Sequence, residues 1–545
     1  MYAELTLSGT CRDADRQVRS LLSISTRDSF VFTTFFRTCA AIRTDRRVRR
    51  VLVHVKPTFS SPMPAALEEI RRELERLSEA GKELVFYATD YRDAHLYLAS
   101  ACAQRVLHPL GALRCTGIAR NSLFFKRLAD RLGIRFQIVR RGKFKSAADR
   151  LRLETIDPAN LEQYQRWIDH AASHLHDTIA GGYARPRADL DAMLCGRSLD
   201  ASEALEQGWI DEASTIESLR DRWKNEKVRP RTVKTRRSLG RGKRVAVLSF
   251  EGAIVEGRSR MNPLLGQTMG SETFVKQVDS LRRRRRVRAV VLRVNSGGGS
   301  AVASEDIRSA LVRLAGDKPL LVSMSAVAGS GGYWISMTGS PVYACATTLT
   351  GSIGVINIAV DAGTALADQG ITHSVVKTHE HADAGTGLRP LSPQELEDLD
   401  RQVGSVYERF LRLVADNRSI GVGEVHERAQ GRVWAGEDAV EQRLVDRTGG
   451  LADAVEEARK AAGLRRARVV FLPHTKRSLL ERLVSREGRP VEMEESLRLQ
   501  SIVGCARSLL RIANRPLVIE PAALAIPHLL DAGGLDLFDA DLQVE

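Results

Sequence analysis

The sequence contains few aromatic residues and no long apolar run. Aromatic residues make up 5% of the 545 residues, which argues against the stacking platforms that bind single-stranded nucleic acid. No stretch of about 18 uninterrupted apolar residues is present, so no transmembrane helix is predicted. The opening Met1 to Leu5 lacks the basic residues and apolar core of a signal peptide. We therefore expect a cytoplasmic protein without a transmembrane anchor.

Paired cysteines are also absent. The seven cysteines stand far apart and form no Cys-x-x-Cys motif, so neither a disulfide framework nor a metal site is indicated, and a reducing compartment fits. We expect no metal and no cofactor.

The net charge of +15 raises the question of an acidic partner. The arginines are scattered along the chain, and the run Arg282 to Arg286 is best interpreted as a solvated helix end. We expect no specific nucleic acid. This charge favours anionic lipid as a partner, through peripheral contact at the inner membrane face.

An internal repeat organises the chain. The segment Gly196 to Ala204 is echoed by Gly431 to Ala439 at an offset of 235 residues, and Val51 to Val55 resembles Val290 to Val294. Short β-rich runs alternate with amphipathic helices in both copies, which predicts α/β domains with mostly parallel sheets.

The predicted boundaries follow from this repeat. The first unit covers residues 1–225, and the second covers residues 244–465. Residues 226–243 are basic and poor in apolar side chains, as linkers are. Residues 466–545 form a C-terminal extension whose role the sequence does not reveal.

Each copy keeps a reactive residue that the other lacks. The second copy has Ser330 in a glycine cluster, where the first has Asp93-Ala94-His95. The first copy has Lys145, where the second has Ala382. A nucleophile in one half and a base in the other predict one composite active site.

Ser330 follows a buried strand and precedes an apolar run that fits a helix. A serine at such a junction exposes its hydroxyl, and the N–H of Gly331 becomes a candidate oxyanion donor. A glycine-rich packing turn with an incidental serine is the alternative. The loop Gly297-Gly298-Gly299 could cradle a phosphate or supply another N–H. The P-loop and dinucleotide-binding spacings are both absent, which disfavours a nucleotide.

A serine nucleophile needs a base. A Ser-His pair is one alternative, because the second copy contains His373, His379 and His381. A lysine can also act as the base if burial lowers the pKa of its amine toward neutrality. Lys145 lies in a segment that looks like a turn entering a helix, and on local grounds alone it would be a solvated surface charge.

These motifs resemble the signal peptide peptidase A (protease IV) family in its long tandem-domain form, over roughly residues 1–465. The similar segments are Val291-Leu292-Arg293-Val294-Asn295-Ser296-Gly297-Gly298-Gly299-Ser300, Ser330-Gly331-Gly332-Tyr333-Trp334, Leu349-Thr350-Gly351-Ser352-Ile353-Gly354, Arg432-Val433-Trp434 and Gly142-Lys143-Phe144-Lys145-Ser146.

The resemblance implies tandem Clp-protease/crotonase-like domains of repeated ββα units and a homo-oligomer. It implies Ser330 as nucleophile and Lys145 as general base. Gly299 and Gly331 would supply the oxyanion N–H groups, and Ser352 would orient the lysine amine. The chain departs from the family pattern at Gly297, where proline is usual, and at Gly329 and Phe144, where alanine and tyrosine are usual.

The expected function is a Ser/Lys endopeptidase that degrades released signal peptides or other short apolar peptides through an acyl-enzyme. An acyl-CoA hydratase or thioesterase on the same fold is one alternative. A catalytically decayed peptide-binding scaffold is the other, which the substitutions at Gly297 and Gly329 would suit.

Overall fold

The structure is a computed structural model that describes residues 1–14, 29–61, 63–194, 196–233, 242–262, 266–472 and 517–519. Residues 234–241 of the expected linker lie outside the described residues, as does most of the C-terminal extension.

The first half alternates strands and helices. Its elements are β1 (Tyr2–Leu7), β2 (Thr10–Arg12), β3 (Ser29–Val31), α1 (Phe32–Thr44), β4 (Arg50–Val55), α2 (Pro64–Glu79), β5 (Glu83–Ala88), α3 (Asp93–Ala99), β6 (Gln104–Leu107), β7 (Ala112–Arg114), α4 (Lys126–Arg131), β8 (Arg135–Arg141), α5 (Asp149–Arg152), α6 (Pro158–Gly182), α7 (Arg187–Met193), β9 (Ser198–Asp200), α8 (Ala201–Glu206), β10 (Glu212–Ala213) and α9 (Ile216–Asn225).

The second half follows the same alternation. Its elements are β11 (Arg244–Glu251), β12 (Ala253–Val255), β13 (Arg260–Asn262), β14 (Gly266–Gly270), α10 (Ser271–Arg283), β15 (Val287–Ser296), β16 (Gly298–Ser300), α11 (Ala301–Asp317), β17 (Leu320–Gly329), α12 (Gly331–Ser336), β18 (Val342–Ala344), β19 (Leu349–Gly351), β20 (Val355–Asp361), α13 (Gly363–Asp368), α14 (Pro393–Arg418), α15 (Val422–Arg428), β21 (Val433–Ala435), α16 (Gly436–Glu441), β22 (Arg447–Thr448), α17 (Leu451–Ala461), β23 (Arg468–Leu472) and β24 (Leu517–Ile519).

The two halves share one strand order. In the first half the parallel order is β1-β4-β5-β6-β10. In the second half β11-β15-β17-β18-β22 repeats it, again in parallel. The antiparallel pair β7-β9 likewise corresponds to β19-β21. The prediction of tandem α/β domains built on parallel sheets is therefore confirmed.

The strands are apolar because helices cover both faces of these sheets. Val51, Leu52 and Val53 in β4 are fully buried, and so are Val290, Val291 and Leu292 in β15. Such continuous apolar runs are typical of parallel strands. The arginine run after Leu281 does form a helix end, since α10 stops at Arg283.

The repeat extends further than the sequence comparison indicated. Strand β23 pairs with β11 beyond the expected end of the second unit. Its counterpart in the first half is a parallel bridge between Tyr2 and Pro230. The exact domain boundaries remain predictions, although α9 ends at Asn225 and β11 begins at Arg244.

A buried guanidinium joins the two halves. Arg293 in β15 is fully buried and donates to the carboxylates of Asp13 (Nε–Oδ1, 3.0 Å) and Glu69 (Nη1–Oε1, 3.1 Å), both from the first half. The hydroxyls of Ser323 and Ser325 accept two more of its N–H groups. Because losing one partner would leave a buried charge uncompensated, this network fixes how the halves meet.

A seven-stranded sheet crosses from one half to the other. Its order is β13-β14-β12-β16-β24-β20-β8. Strand β8 from the first half pairs antiparallel with β20 from the second over their full seven residues. This pairing brings the segment after β8, which contains Lys145, to the edge of the second domain.

Candidate active site

Ser330 occupies a sharp junction between strand and helix. Strand β17 ends at Gly329 and α12 begins at Gly331, and Ser330 has φ 56° and ψ −115°. A positive φ is uncommon for a residue with a side chain and marks a constrained backbone. The Ser330 N–H donates to the Gly351 carbonyl at 2.8 Å, and its carbonyl accepts the Trp334 N–H at 2.8 Å. These bonds hold the junction in place.

Lys145 reaches the Ser330 hydroxyl from the other half of the chain. The distance from Lys145 Nζ to Ser330 Oγ is 2.5 Å. The same amine lies 3.0 Å from Ser352 Oγ and 2.9 Å from the Ser352 carbonyl oxygen. Both Lys145 and Ser330 are fully buried, and Ser352 is nearly so. The structure thus brings together three side chains that the sequence had singled out.

Two glycines allow this approach. An ideal Cβ on Gly431 would lie 2.7 Å from Lys145 Cβ, and one on Gly142 would lie 2.4 Å from the carbonyl carbon of Gln430. Both glycines have positive φ. The Phe144 N–H donates to the Gln430 carbonyl at 2.8 Å. The Lys145 segment therefore packs directly against the backbone of the turn around Gly431.

A buried polar network supports the Lys145 segment from behind. Gln163 in α6 donates to the Phe144 carbonyl at 3.0 Å and accepts the Val433 N–H at 3.0 Å. The side chain of Asn160 links Gln163 to Asp149. Burial raises the pKa of the Asp149 carboxyl.

Sequence reasoning missed the residues of this network. They lie on the amphipathic helix α6 and at the start of the short helix α5, without a motif. The nearest signal was the capped start of α6, where Asp157 accepts the Ala159 N–H and Pro158 occupies the first turn.

The glycine loop lies against the start of α12. An ideal Cβ on Gly331 would be 3.0 Å from Gly298 Cα, so the two candidate oxyanion segments touch. Gly299 has φ 158°, and a Cβ there would lie 2.0 Å from the Ile254 carbonyl oxygen. Ser296, which the sequence analysis did not assign, accepts the Gly298 N–H at 3.2 Å and donates to the Gly252 carbonyl at 2.7 Å.

The candidate histidines have other surroundings. His381 Nδ1 lies 2.9 Å from Glu395 Oε1, and His379 Nδ1 lies 3.0 Å from the hydroxyl of its neighbour Thr378. His373 is exposed in a segment without regular structure. The amine that contacts Ser330 is that of Lys145.

The equivalent place in the first half carries no serine. Asp93, which the repeat aligns with Ser330, instead accepts the N–H groups of Thr116 (3.2 Å) and Gly117 (2.9 Å). Burial lowers the pKa of the nearby His95 imidazole to about 4. Ser330 and Lys145 therefore meet at one junction between the halves, and their roles stay a prediction.

Across the described ranges, no group of three or more His, Cys, Asp or Glu side chains is arranged to hold a metal ion. None of the helices in the described part of the chain combines the length and apolar character needed to cross a membrane.

A serine at a constrained strand-helix junction with an amine in hydrogen-bond contact is an arrangement that hydrolases with a serine nucleophile use. Comparison with known proteins agrees. The model of "Peptidase family S49" matches residues 76–228 and 313–465, two spans related by an offset of 237 residues, close to the repeat in the sequence.

Two relatives named "Protease 4" match most of the chain, and a third relative matches a smaller part of it. "Protease 4" of Salmonella typhi is 30% identical over 442 residues, which cover 77% of this chain and 70% of that protein. "Protease 4" of Haemophilus influenzae is 27% identical, covering 83% and 79% respectively. "Putative signal peptide peptidase SppA" of Enterococcus faecium is 31% identical, covering 42% and 66%. The chain belongs to peptidase family S49 and is a serine peptidase by that membership, which confirms the resemblance.

Proposed function

We propose that the protein is an endopeptidase with a Ser330/Lys145 dyad that degrades short apolar peptides, including released signal peptides. The contact of 2.5 Å between Lys145 Nζ and Ser330 Oγ carries the proposal, since a base must lie within hydrogen-bond reach of the proton that it abstracts. The similarity to a protein named as a putative signal peptide peptidase supports the substrate class.

The proposed reaction has two stages. In the first, Lys145 as a neutral amine takes the hydroxyl proton while Ser330 Oγ bonds to the peptide carbonyl carbon. The resulting tetrahedral intermediate collapses, the C–N bond breaks, and Lys145 returns the proton to the leaving amine. Water then attacks the acyl-enzyme with Lys145 again as base, and the carboxylic acid product leaves as the Ser330 hydroxyl is restored.

Full burial suits Lys145 to this role. Removal from water disfavours the charged form of an amine, and Lys145 is 0% exposed. Ser352 accepts hydrogen bonds from the amine through its carbonyl and hydroxyl oxygens, which would aim the nitrogen lone pair at Ser330. We assign Ser352 as the positioning residue of the dyad.

The oxyanion would be bound by backbone N–H groups. Gly331 follows the nucleophile at the start of α12, and Gly299 lies in the loop that touches it. We propose these two residues as the donors. Each such donor contributes about 10²–10³ in rate in serine hydrolases.

Substitution of the dyad tests the proposal. Ser330→Ala and Lys145→Ala should each lower kcat/KM for an internally quenched apolar peptide by about a thousandfold or more. Lys143→Ala is the matched control, because it removes a nearby lysine that is exposed and should retain most activity. A fluorophosphonate probe should label the wild type and the control but not Ser330→Ala.

Other outcomes would redirect the assignment. Thioester turnover that survives in Ser330→Ala would favour the acyl-CoA enzyme. Peptide binding by a wild type that neither labels nor cleaves would favour the peptide-binding scaffold. Equal cleavage by Lys145→Ala and wild type would remove lysine as the base.

We also propose peripheral contact with anionic membranes. Arg284, Arg285 and Arg286 are exposed at the end of α10, beside Arg244. Each basic residue near an anionic surface contributes about 1 kcal/mol, and the attraction fades with salt. Binding to phosphatidylserine vesicles should therefore weaken as the salt concentration rises. The double variant Arg284→Gln/Arg285→Gln carries less positive charge and should bind these vesicles more weakly than wild type. Salt-independent binding would contradict this contact.

A further inference from the structure

One buried amide joins the two halves of the chain beside the candidate site. Gln163, in the second turn of α6, is buried. Its Nε2 donates to the Phe144 carbonyl at 3.0 Å, and its Oε1 accepts the Val433 N–H at 3.0 Å. Phe144 belongs to the first half and Val433 to the second. The Gln163 side chain therefore ties the segment that contains Lys145 directly to β21.

Both ends of this link lie next to the reacting groups. On one side, Phe144 immediately precedes Lys145. On the other side, Val433 pairs with Gly351 in the antiparallel ladder of β21 and β19. The Gly351 carbonyl in turn accepts the Ser330 N–H at 2.8 Å. The backbones of the two reacting residues are thus connected by a short path of hydrogen bonds, and the buried amide lies at its centre.

The neighbours of Gln163 fix the direction of its amide. Asp149 accepts hydrogen bonds from Arg140, Arg152 and Asn160, so Asn160 directs its NH2 group at Asp149 and its oxygen at Gln163. The Gln163 Nε2 donates to that oxygen at 2.6 Å. If the Gln163 amide were reversed, its oxygen would face the Asn160 oxygen without a proton between them. The amide is therefore held in the direction in which it can donate to the lysine segment.

The Phe144 carbonyl is the group whose direction matters for Lys145. A peptide unit is planar, so this carbonyl lies in one plane with the N–H and Cα of Lys145. The other contacts of Phe144 act elsewhere on the residue: its N–H donates to the Gln430 carbonyl at 2.8 Å, and Arg432 Cζ lies 3.9 Å from the centroid of its ring. The bond from Gln163 therefore sets the plane from which the lysine side chain projects.

We propose that Gln163 is a positioning residue for the general base, and that its amide holds the peptide between Phe144 and Lys145 so that the lysine amine stays within reach of Ser330. The proposal rests on the proposed roles of Ser330 and Lys145. Loss of the amide leaves the Phe144 carbonyl and the Val433 N–H buried without this partner, and the peptide loses the contact that sets its direction. Substrate binding needs no proton transfer, so the effect belongs in kcat rather than in KM.

A substitution of similar shape tests this role. Gln163→Met keeps an unbranched side chain and removes both polar ends. It should lower kcat for an internally quenched apolar peptide by about 10²-fold with little change in KM, because a misplacement of about 1 Å in a reacting group has effects of that size. Gln165→Met is the matched control, since Gln165 is exposed on the same helix and its amide contacts Asp169. A kcat for Gln163→Met equal to that of the control would overturn the proposal, as would a loss confined to KM.

Labelling by a fluorophosphonate separates slow chemistry from incomplete folding. The first-order rate constant of labelling reports only the folded chains, because unfolded chains reduce the amplitude and leave the rate constant unchanged. This rate constant should fall in Gln163→Met as kcat does. Gln163→Glu is the second variant, since it keeps an oxygen for the Val433 N–H and loses the donor to the Phe144 carbonyl, and it should also label slowly. Reduced amplitude with a wild-type rate constant in both variants would make Gln163 a folding residue and overturn the proposal.

The same probe separates this inference from the proposed function. Wild type that neither labels at Ser330 nor cleaves peptide would remove the dyad, and the role of Gln163 with it. Equal rate constants for wild type and Gln163→Met, with slower labelling of Lys145→Ala, would overturn only the role of Gln163 and leave the dyad standing.

Discussion

The Lys145 segment lies directly against residue 431, and the glycine at that position leaves the space that Lys145 needs to contact Ser330. The backbone of Gly431 runs so close to Lys145 that an added Cβ would lie 2.6 Å from the Lys145 nitrogen and 2.7 Å from its Cβ. Gly431 also has φ 77°, which favours glycine independently of the available space. A methyl group at this position must move the lysine segment or distort the turn.

Gly431→Ala should therefore lower kcat by about 10²-fold, because a misplacement of about 1 Å in a reacting group has effects of that size. Gly423→Ala is the matched control, since Gly423 lies in the nearby helix α15 with open space around its ideal Cβ. Peptide cleavage and fluorophosphonate labelling give the rates, and thermal unfolding checks the fold. Similar kcat values for the two variants would show that the Lys145 segment tolerates displacement.

Glu251, at the end of β11, contacts the first half of the chain through its carboxyl group. Glu251 accepts the N–H groups of Ala14 (3.1 Å) and Asp13 (3.4 Å). Burial, reinforced by the charge of Asp13, raises the pKa of the Glu251 carboxyl from 4.5 to about 7. Between these two values the folded protein retains a proton that the unfolded chain has lost. The contribution of Glu251 to the free energy of unfolding therefore falls as pH rises through this window. Above the window this contribution no longer changes with pH.

Glu251→Gln should remove this pH dependence, because an amide has no proton to lose. Its single oxygen can replace only one of the two carboxyl oxygens that accept the Asp13 and Ala14 N–H groups, so its stability is compared by slope with pH rather than by absolute value. The difference in unfolding free energy between Glu251→Gln and wild type should shift in favour of the variant by about 3 kcal/mol as pH rises from 4.5 to 7. Glu272→Gln, on the exposed first turn of α10, is the control. Parallel pH profiles of melting temperature for wild type and Glu251→Gln would contradict the prediction.

The elements of the site differ in how far sequence could predict them. Ser330 and its glycines form a local motif, and Lys145 was found because the repeat aligned it with Ala382. Gln163, Asn160 and Asp149 support the same lysine through contacts that join helices α6 and α5 to the turn before Lys145. Such contacts depend on tertiary packing, which leaves no periodic or motif signal in a single sequence. The pairing of residues 517–519 with β16 was hidden for the same reason.

At the scale of the whole molecule, the repeat aligns two segments with the paired strands β8 and β20, and neither segment is itself in a strand. Within the chain, β8 of the first half pairs with β20 of the second. With the 237-residue offset of the two family matches, the counterpart of β8 is residues 372–378 and that of β20 is residues 118–124. Both segments are described and neither is assigned to a strand. Val375 and Val376 in the first of them are 45% and 103% exposed.

We expect residues 372–378 of one copy to pair with residues 118–124 of the next, which repeats between chains the contact that β8 and β20 make within one. A head-to-tail contact of this kind closes into a ring when its rotation permits. Light scattering should therefore give a homo-oligomer for wild type and a smaller species for Val376→Asp, because a charge would be buried without a partner in the contact. Leu205→Asp, at a leucine in α8 that is 42% exposed and lies outside both segments, should leave the mass unchanged. A monomeric wild type, or an oligomer that Val376→Asp leaves intact, would show that the two segments do not pair between chains.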